Sequence, residues 1–127
     1  MDIKQIVEKL SEIAVVKQNS AKEYEIITAA KINGKTPIRI YLTTNGDVCN
    51  LSDKKNTLKY MNNIYELAST DVKNCISAVV RLYGFAVKAG ELVATLKDAA
   101  YAAEIFYNFI ICVGQLANML VFFDQPV

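Results

Sequence analysis

The 127-residue chain suits one domain spanning 1–127, and a hydrophobic share of 53% with 21% charged residues argues for a packed core rather than disorder. Fourteen basic and thirteen acidic side chains leave a net charge of +1, so no global field draws the molecule to nucleic acid or acidic lipid. The chain has no histidine, which excludes His-based acid–base catalysis, Ser-His-Asp and Cys-His nucleophiles and His-ligated zinc.

In chain order, Ile3, Ile6, Val7, Leu10, Ile13 and Ala14 recur at helical spacing, which predicts an amphipathic N-terminal helix ended by Asn19 and Ser20. The opening MDIKQIVEKL lacks the unbroken apolar run of a signal peptide. From Glu23 the period becomes two. A strand running to Lys31, the alternating Ile38–Thr43 and the return at Val48–Leu51 predict a three-stranded antiparallel meander. Asn33-Gly34 and Asn45-Gly46 are the residue pairs that suit type I′ hairpin turns, and Pro37 belongs at the start of its strand or on a free side.

Ser52-Asp53 reads as a helix N-cap, with Leu58, Met61, Tyr65 and Ala68 on one face of the helix that follows. Ser69-Thr70-Asp71 opens another helix, with Val72, Cys75, Ile76, Val79 and Tyr83 inward and Gly84 as its C′ residue. Two short strands, Phe85–Val87 and Glu91–Leu96, flank Ala89-Gly90. A long helix follows from about Asp98 to Phe123. Its 19 uncharged residues from Ile105 to Phe123 reach the length of a membrane span. However, Glu104, Asn108, Gln115 and Asn118 form one polar stripe and the flanks lack a Lys/Arg cluster, so a helix buried in a soluble fold is the expectation. The fold class is therefore α+β: an N-terminal helix, the meander, a second short hairpin, and helices packed on one face of the sheet, including the apolar closing helix.

Cys49, Cys75 and Cys112 are odd in number, widely spaced and set among apolar residues, which suits buried free thiols in a reducing cytoplasm. None of the five glycines builds a phosphate-cradling loop. What remains is carboxylate and lysine chemistry. Asp53-Lys54-Lys55 has the Asp-x-Lys spacing of one metal-dependent nuclease architecture, with Glu25 or Asp47 as the second carboxylate, yet Lys54 stands where that strand expects an apolar residue. The helix cap explains Asp53 better. No catalytic residue, metal site or cofactor is expected.

Lys31, Lys35, Arg39, Lys54, Lys55 and Lys59, with Tyr41 among them, define an alternative basic face for single-stranded nucleic acid. The near-neutral total charge instead favours lysines that solvate a helix and guard a strand edge. Aromatic and apolar residues on the closing helix, Tyr107, Met119, Phe122 and Phe123, suit a core or a protein interface, with a homodimer as its simplest form.

The order of elements adds a resemblance. LSDKKNTLKYM before a helix, then RLYGFAVKAGELVATL before a long helix carrying a Gln, is similar to a family of small bacterial and prophage proteins, domain of unknown function eighteen-twenty-eight. Ser52-Asp53 and Thr57 match its Ser-Asp-Asp-Gly-x-Thr turn, where Lys54 and Lys55 replace the second Asp and the Gly, and Gly90-Glu91-Leu92 matches its later element. The resemblance spans residues 36–120. It implies a soluble intracellular domain carried on mobile elements, with no activity to transfer, and inhibition of a host defence protein as a role. The expectation is a non-catalytic interaction or regulatory module, with nucleic-acid binding second and a nuclease third.

Overall fold

The computed structural model describes residues 3–32, 35–45, 48–62 and 70–118. Helix α1 (Ile3–Ser11) buries Ile6 and Leu10, the heart of its apolar stripe. It ends earlier than its periodicity predicts: Ala14 N–H still reaches Leu10 O at 2.9 Å, but Val15–Ser20 forms strand β1. Ile13 and Ala14 continue the helical stripe by coincidence, while β-branched Val15 and Val16 favour the pleated backbone.

Strands β2 (Glu23–Ile32), β3 (Thr36–Asn45) and β4 (Val48–Ser52) make the expected meander, which β1 widens to four strands. Residues 33–34 and 46–47, and with them most of the two expected turns, lie outside the described residues. The registers nevertheless set Ile32 opposite Thr36, one residue more than a two-residue loop, and Asn45 opposite Val48. Strand β2 bulges between Ile27 and Lys31, where the Thr28 hydroxyl donates to Ile38 O and accepts from Ala30 N–H. Pro37 is exposed on the part of β3 that β4 does not reach.

Helices α2 (Asn56–Asn62) and α3 (Thr70–Leu82) cross to the second hairpin, β5 (Ala86–Lys88) and β6 (Glu91–Leu96). Tyr65 and Ala68 lie outside the described residues. Ala89 and Gly90, at φ 53° and 81°, form its turn. Helix α3 closes as predicted: Gly84 at φ 76° donates to Arg81 O, and Phe85 donates to Val80 O, the paired bonds of a Schellman cap. Cys75 corrects the sequence reading, because it faces solvent while Val72, Ile76 and Val80 carry the inward stripe.

The six strands are antiparallel in the order β1-β2-β3-β4-β6-β5. A 3-10 turn (Ala99–Tyr101) capped by Asp98 leads into α4 (Ala102–Asn118), which touches α1, α2, α3, β2 and β6. Ala99–Asn118 is long and apolar enough to cross a membrane by length and composition. In this fold Phe106, Phe109, Cys112, Val113 and Leu116 are buried against Ile26, Ile40, Leu42, Leu51 and Leu96 of the sheet core. The architecture is thus α+β, with the helices on one sheet face.

Candidate interaction surfaces

Asp53 is a buried structural junction. Only 2% of it is exposed. Its Oδ1 accepts from Lys55 N–H at 3.0 Å and Leu92 N–H at 2.9 Å, and its Oδ2 accepts from Thr57 N–H at 3.0 Å. One carboxylate therefore ties the end of β4, the first turn of α2 and strand β6, as a cap acting from three residues before the helix rather than from within its first turn. Lys54 and Lys55 take left-handed φ values of 50° and 70° to shape this turn. Next to it, Ser52 Oγ donates to the Glu91 carboxylate and accepts from Lys54 N–H.

This geometry does not assemble the nuclease constellation. Glu25 pairs across strands with Tyr41, which pairs with Ser52 on the sheet face opposite to the side on which Asp53 is buried. Glu25 is bonded to Arg39, and Asp53 spends both oxygens on backbone donors. Asp47 lies outside the described residues. Among those residues no three potential ligands converge.

The sheet face without helices carries a cross-strand row of Lys17, Glu25, Tyr41, Ser52, Val93 and Ala86. Three of the six candidate phosphate contacts sit here, Lys31 opposite Pro37 at the far end and Arg39 and Lys54 nearer the centre, and the last two are neutralised. Arg39 meets Glu25 at 3.4 Å; Lys54 meets Glu23 at 2.7 Å and lies 4.2 Å from the centroid of the Tyr41 ring. The Lys54 hydrogen bond pulls the Glu23 carboxyl below the usual range, and the same bond raises the Lys54 ammonium. Lys31 and Lys35 are exposed toward the far end of the β2–β3 pair, while Lys55 and Lys59 belong to the α2 region. The six do not form one uncompensated stripe.

The outward face of α4 differs in kind. Tyr107 and Ile111 lie one turn apart, 50% and 54% exposed, and Tyr101 before them is 58% exposed. Glu104 is the sole charge from Ala102 to Asn118. Asn108, Gln115 and Asn118 share this side, as the polar stripe predicts, and Gln115 accepts from the Tyr83 hydroxyl at 2.7 Å. Of the expected interface residues Tyr107 is exposed on this face, whereas Met119, Phe122 and Phe123 lie outside the described residues. Ile111 was missed in the sequence, although its place four residues after Tyr107 marks it. No protein-family model, no curated protein and no solved structure matches this chain.

Proposed function

We propose that the protein is a non-catalytic interaction module that binds a protein partner and pairs with a second copy of itself through the outer face of α4. The supporting observation is the exposure of Tyr107 and Ile111 on a helix with a single charge, with Tyr101 exposed in the 3-10 turn that leads into it. Exposed aromatic and apolar residues clustered on one face gain from desolvation, and an antiparallel twofold crossing near Ile111 sets Glu104, the one charge on this face, at opposite ends of the contact in the two copies. In keeping with the bacterial and prophage proteins its motifs resemble, the role is regulatory and cytoplasmic, such as inhibition of a host defence protein. The nucleic-acid reading gains no support from Arg39 and Lys54, whose charges are already paired.

Light scattering coupled to size exclusion tests the self-association. Wild type should run at the dimer mass, and Ile111→Asp with Tyr107→Asp should run as a folded monomer. A monomeric wild type, or a double variant that stays dimeric, removes the α4 interface from the proposal.

A further inference from the structure

The second hairpin is unequal, and its inequality leaves a gap in the sheet. Strand β5 supplies three residues against six in β6. Asp53 N–H donates to Leu92 O, and Leu92 N–H donates to the Asp53 carboxylate, so both main-chain groups of Leu92 face β4. Alternation along an antiparallel ladder then aims Glu91, Val93 and Thr95 the other way, toward β5. Lys88 and Ala86 stand opposite Glu91 and Val93. Gly84 would be next, opposite Thr95, but its N–H is committed to Arg81 O in the cap of α3 and the chain turns away. The peptide group of Thr95 is left facing a notch of about 320 Å³.

The walls of the notch suit an apolar side chain. Tyr83, Phe85, Val93 and Ile105 line it, and Phe85 is stacked on Tyr83 at 6.0 Å and tilted against Phe109 at 5.6 Å. Phe85 is thus already engaged by two rings of its own fold, which disfavours the open stacking platform that a nucleobase needs. Lys88 and Lys97 complete the lining, with no carboxylate among the lining residues and no ion pair to either lysine among the described residues. A second hollow of about 280 Å³ continues past Thr95, Lys97 and Ile105 to Tyr101, where Asp98 and Glu104 also line it, so the basic character belongs to the notch itself and not to its continuation.

We infer that this notch binds an extended, acidic peptide segment of a partner protein, which adds itself to the free edge of β6 at Thr95. The main chain of the peptide takes the place that β5 vacates, one apolar side chain fills the space beside Phe85 and Ile105, and acidic residues meet Lys88 and Lys97. The inference rests on the interaction-module reading but not on pairing through α4.

The test has two steps, both on the full chain. In amide hydrogen exchange by NMR, Thr95 should exchange at least tenfold faster than Ala94 and Leu96, whose main-chain groups face β4. Equal protection of the three amides overturns the proposal at its premise. A random decamer display library is then panned against the protein, and the enriched peptides are synthesised and titrated. They should carry Asp or Glu near an apolar residue, protect the Thr95 amide, and bind about tenfold more weakly to Lys88→Glu with Lys97→Glu. Enriched peptides without acids, unchanged affinity in the charge-reversed variant, or displacement of the peptides by a thymidine decamer would each sink it. Ile111→Asp separates the two readings: it should leave peptide affinity within twofold while abolishing the dimer mass.

Discussion

Asp53 is the residue whose replacement should matter most. Three backbone N–H groups converge on it in a site 2% exposed, and removing the carboxylate strands them. Asp53→Ala should lower unfolding stability by about 2–4 kcal/mol, since each buried unsatisfied donor costs roughly 1–3 kcal/mol and partial rehydration recovers some of it. Asp53→Asn keeps an oxygen for Lys55 and Leu92 but turns an amide toward Thr57 N–H, so it should cost about half as much. Urea midpoints of the two variants check the order. The first half of this arrangement was legible in the sequence, because Ser-Asp before a helical pattern is a capping signal. Its second half was not, because Leu92 is brought to Asp53 only by the pairing of β4 with β6.

Cys112 makes a second prediction at the same scale. It is fully buried, and desolvation, reinforced by the Asp53 carboxylate, pushes its thiol up to about 12 from an ordinary 9.0. Below the unfolded value both states hold the proton. As pH rises from about 9 toward 12 the unfolded chain alone gives it up, so stability falls across that window. Cys112→Val should flatten this part of the stability–pH curve relative to wild type, and a curve of unchanged slope would mean that tyrosines and lysines account for the alkaline loss. Glu23 acts in the opposite range: its lowered carboxyl contributes above its ordinary value of 4.5 and loses that contribution as acid protonates it.

At the scale of elements, the end of α3 is held by Gly84. Its φ of 76° is the reason for glycine there, since a Cβ would meet nothing within 4 Å. Gly84→Ala should therefore destabilise by about 1 kcal/mol through backbone strain alone, with no change in the core, and thermal unfolding monitored by circular dichroism measures it. Where a single period runs cleanly, as in Ile38–Thr43 or Ile3–Leu10, the element could be read directly. The boundary near Ile13–Val16 was lost because those four apolar residues satisfy the end of a helix and the start of a strand at once. Cys75 misled for a related reason. A small apolar side chain between Val72 and Ile76 looks inward by composition, and only the helix rotation fixed by packing on α4 turns it out.

For the whole molecule, the closing helix is the member that every layer shares. Its inner side completes the core and its outer side carries Tyr107 and Ile111. The aromatic character of that helix could be read in the sequence. Which rings are core and which are surface could not, since that depends on where α1, α2 and α3 settle around it. The gap beside Thr95 was hidden more deeply still, because it exists only where one strand is cut short by the cap of the helix before it.

The central place of α4 also dictates an order of events during synthesis. Strands β1 to β4 leave the ribosome with Ile26, Ile40, Leu42 and Leu51 ready to be buried, yet the helix that covers them comes last among the described elements. At about 5–20 residues per second, several seconds separate Ser52 from Asn118. Through that interval the nascent sheet is an apolar surface without a lid, so chains stopped before Ala102 should be aggregation-prone and cleaved readily by protease. Pulse-labelled ribosome-bound chains of increasing length would show protection arriving in one step, after α4 has emerged, rather than strand by strand. The helix thus acts as the timer of folding as well as its keystone.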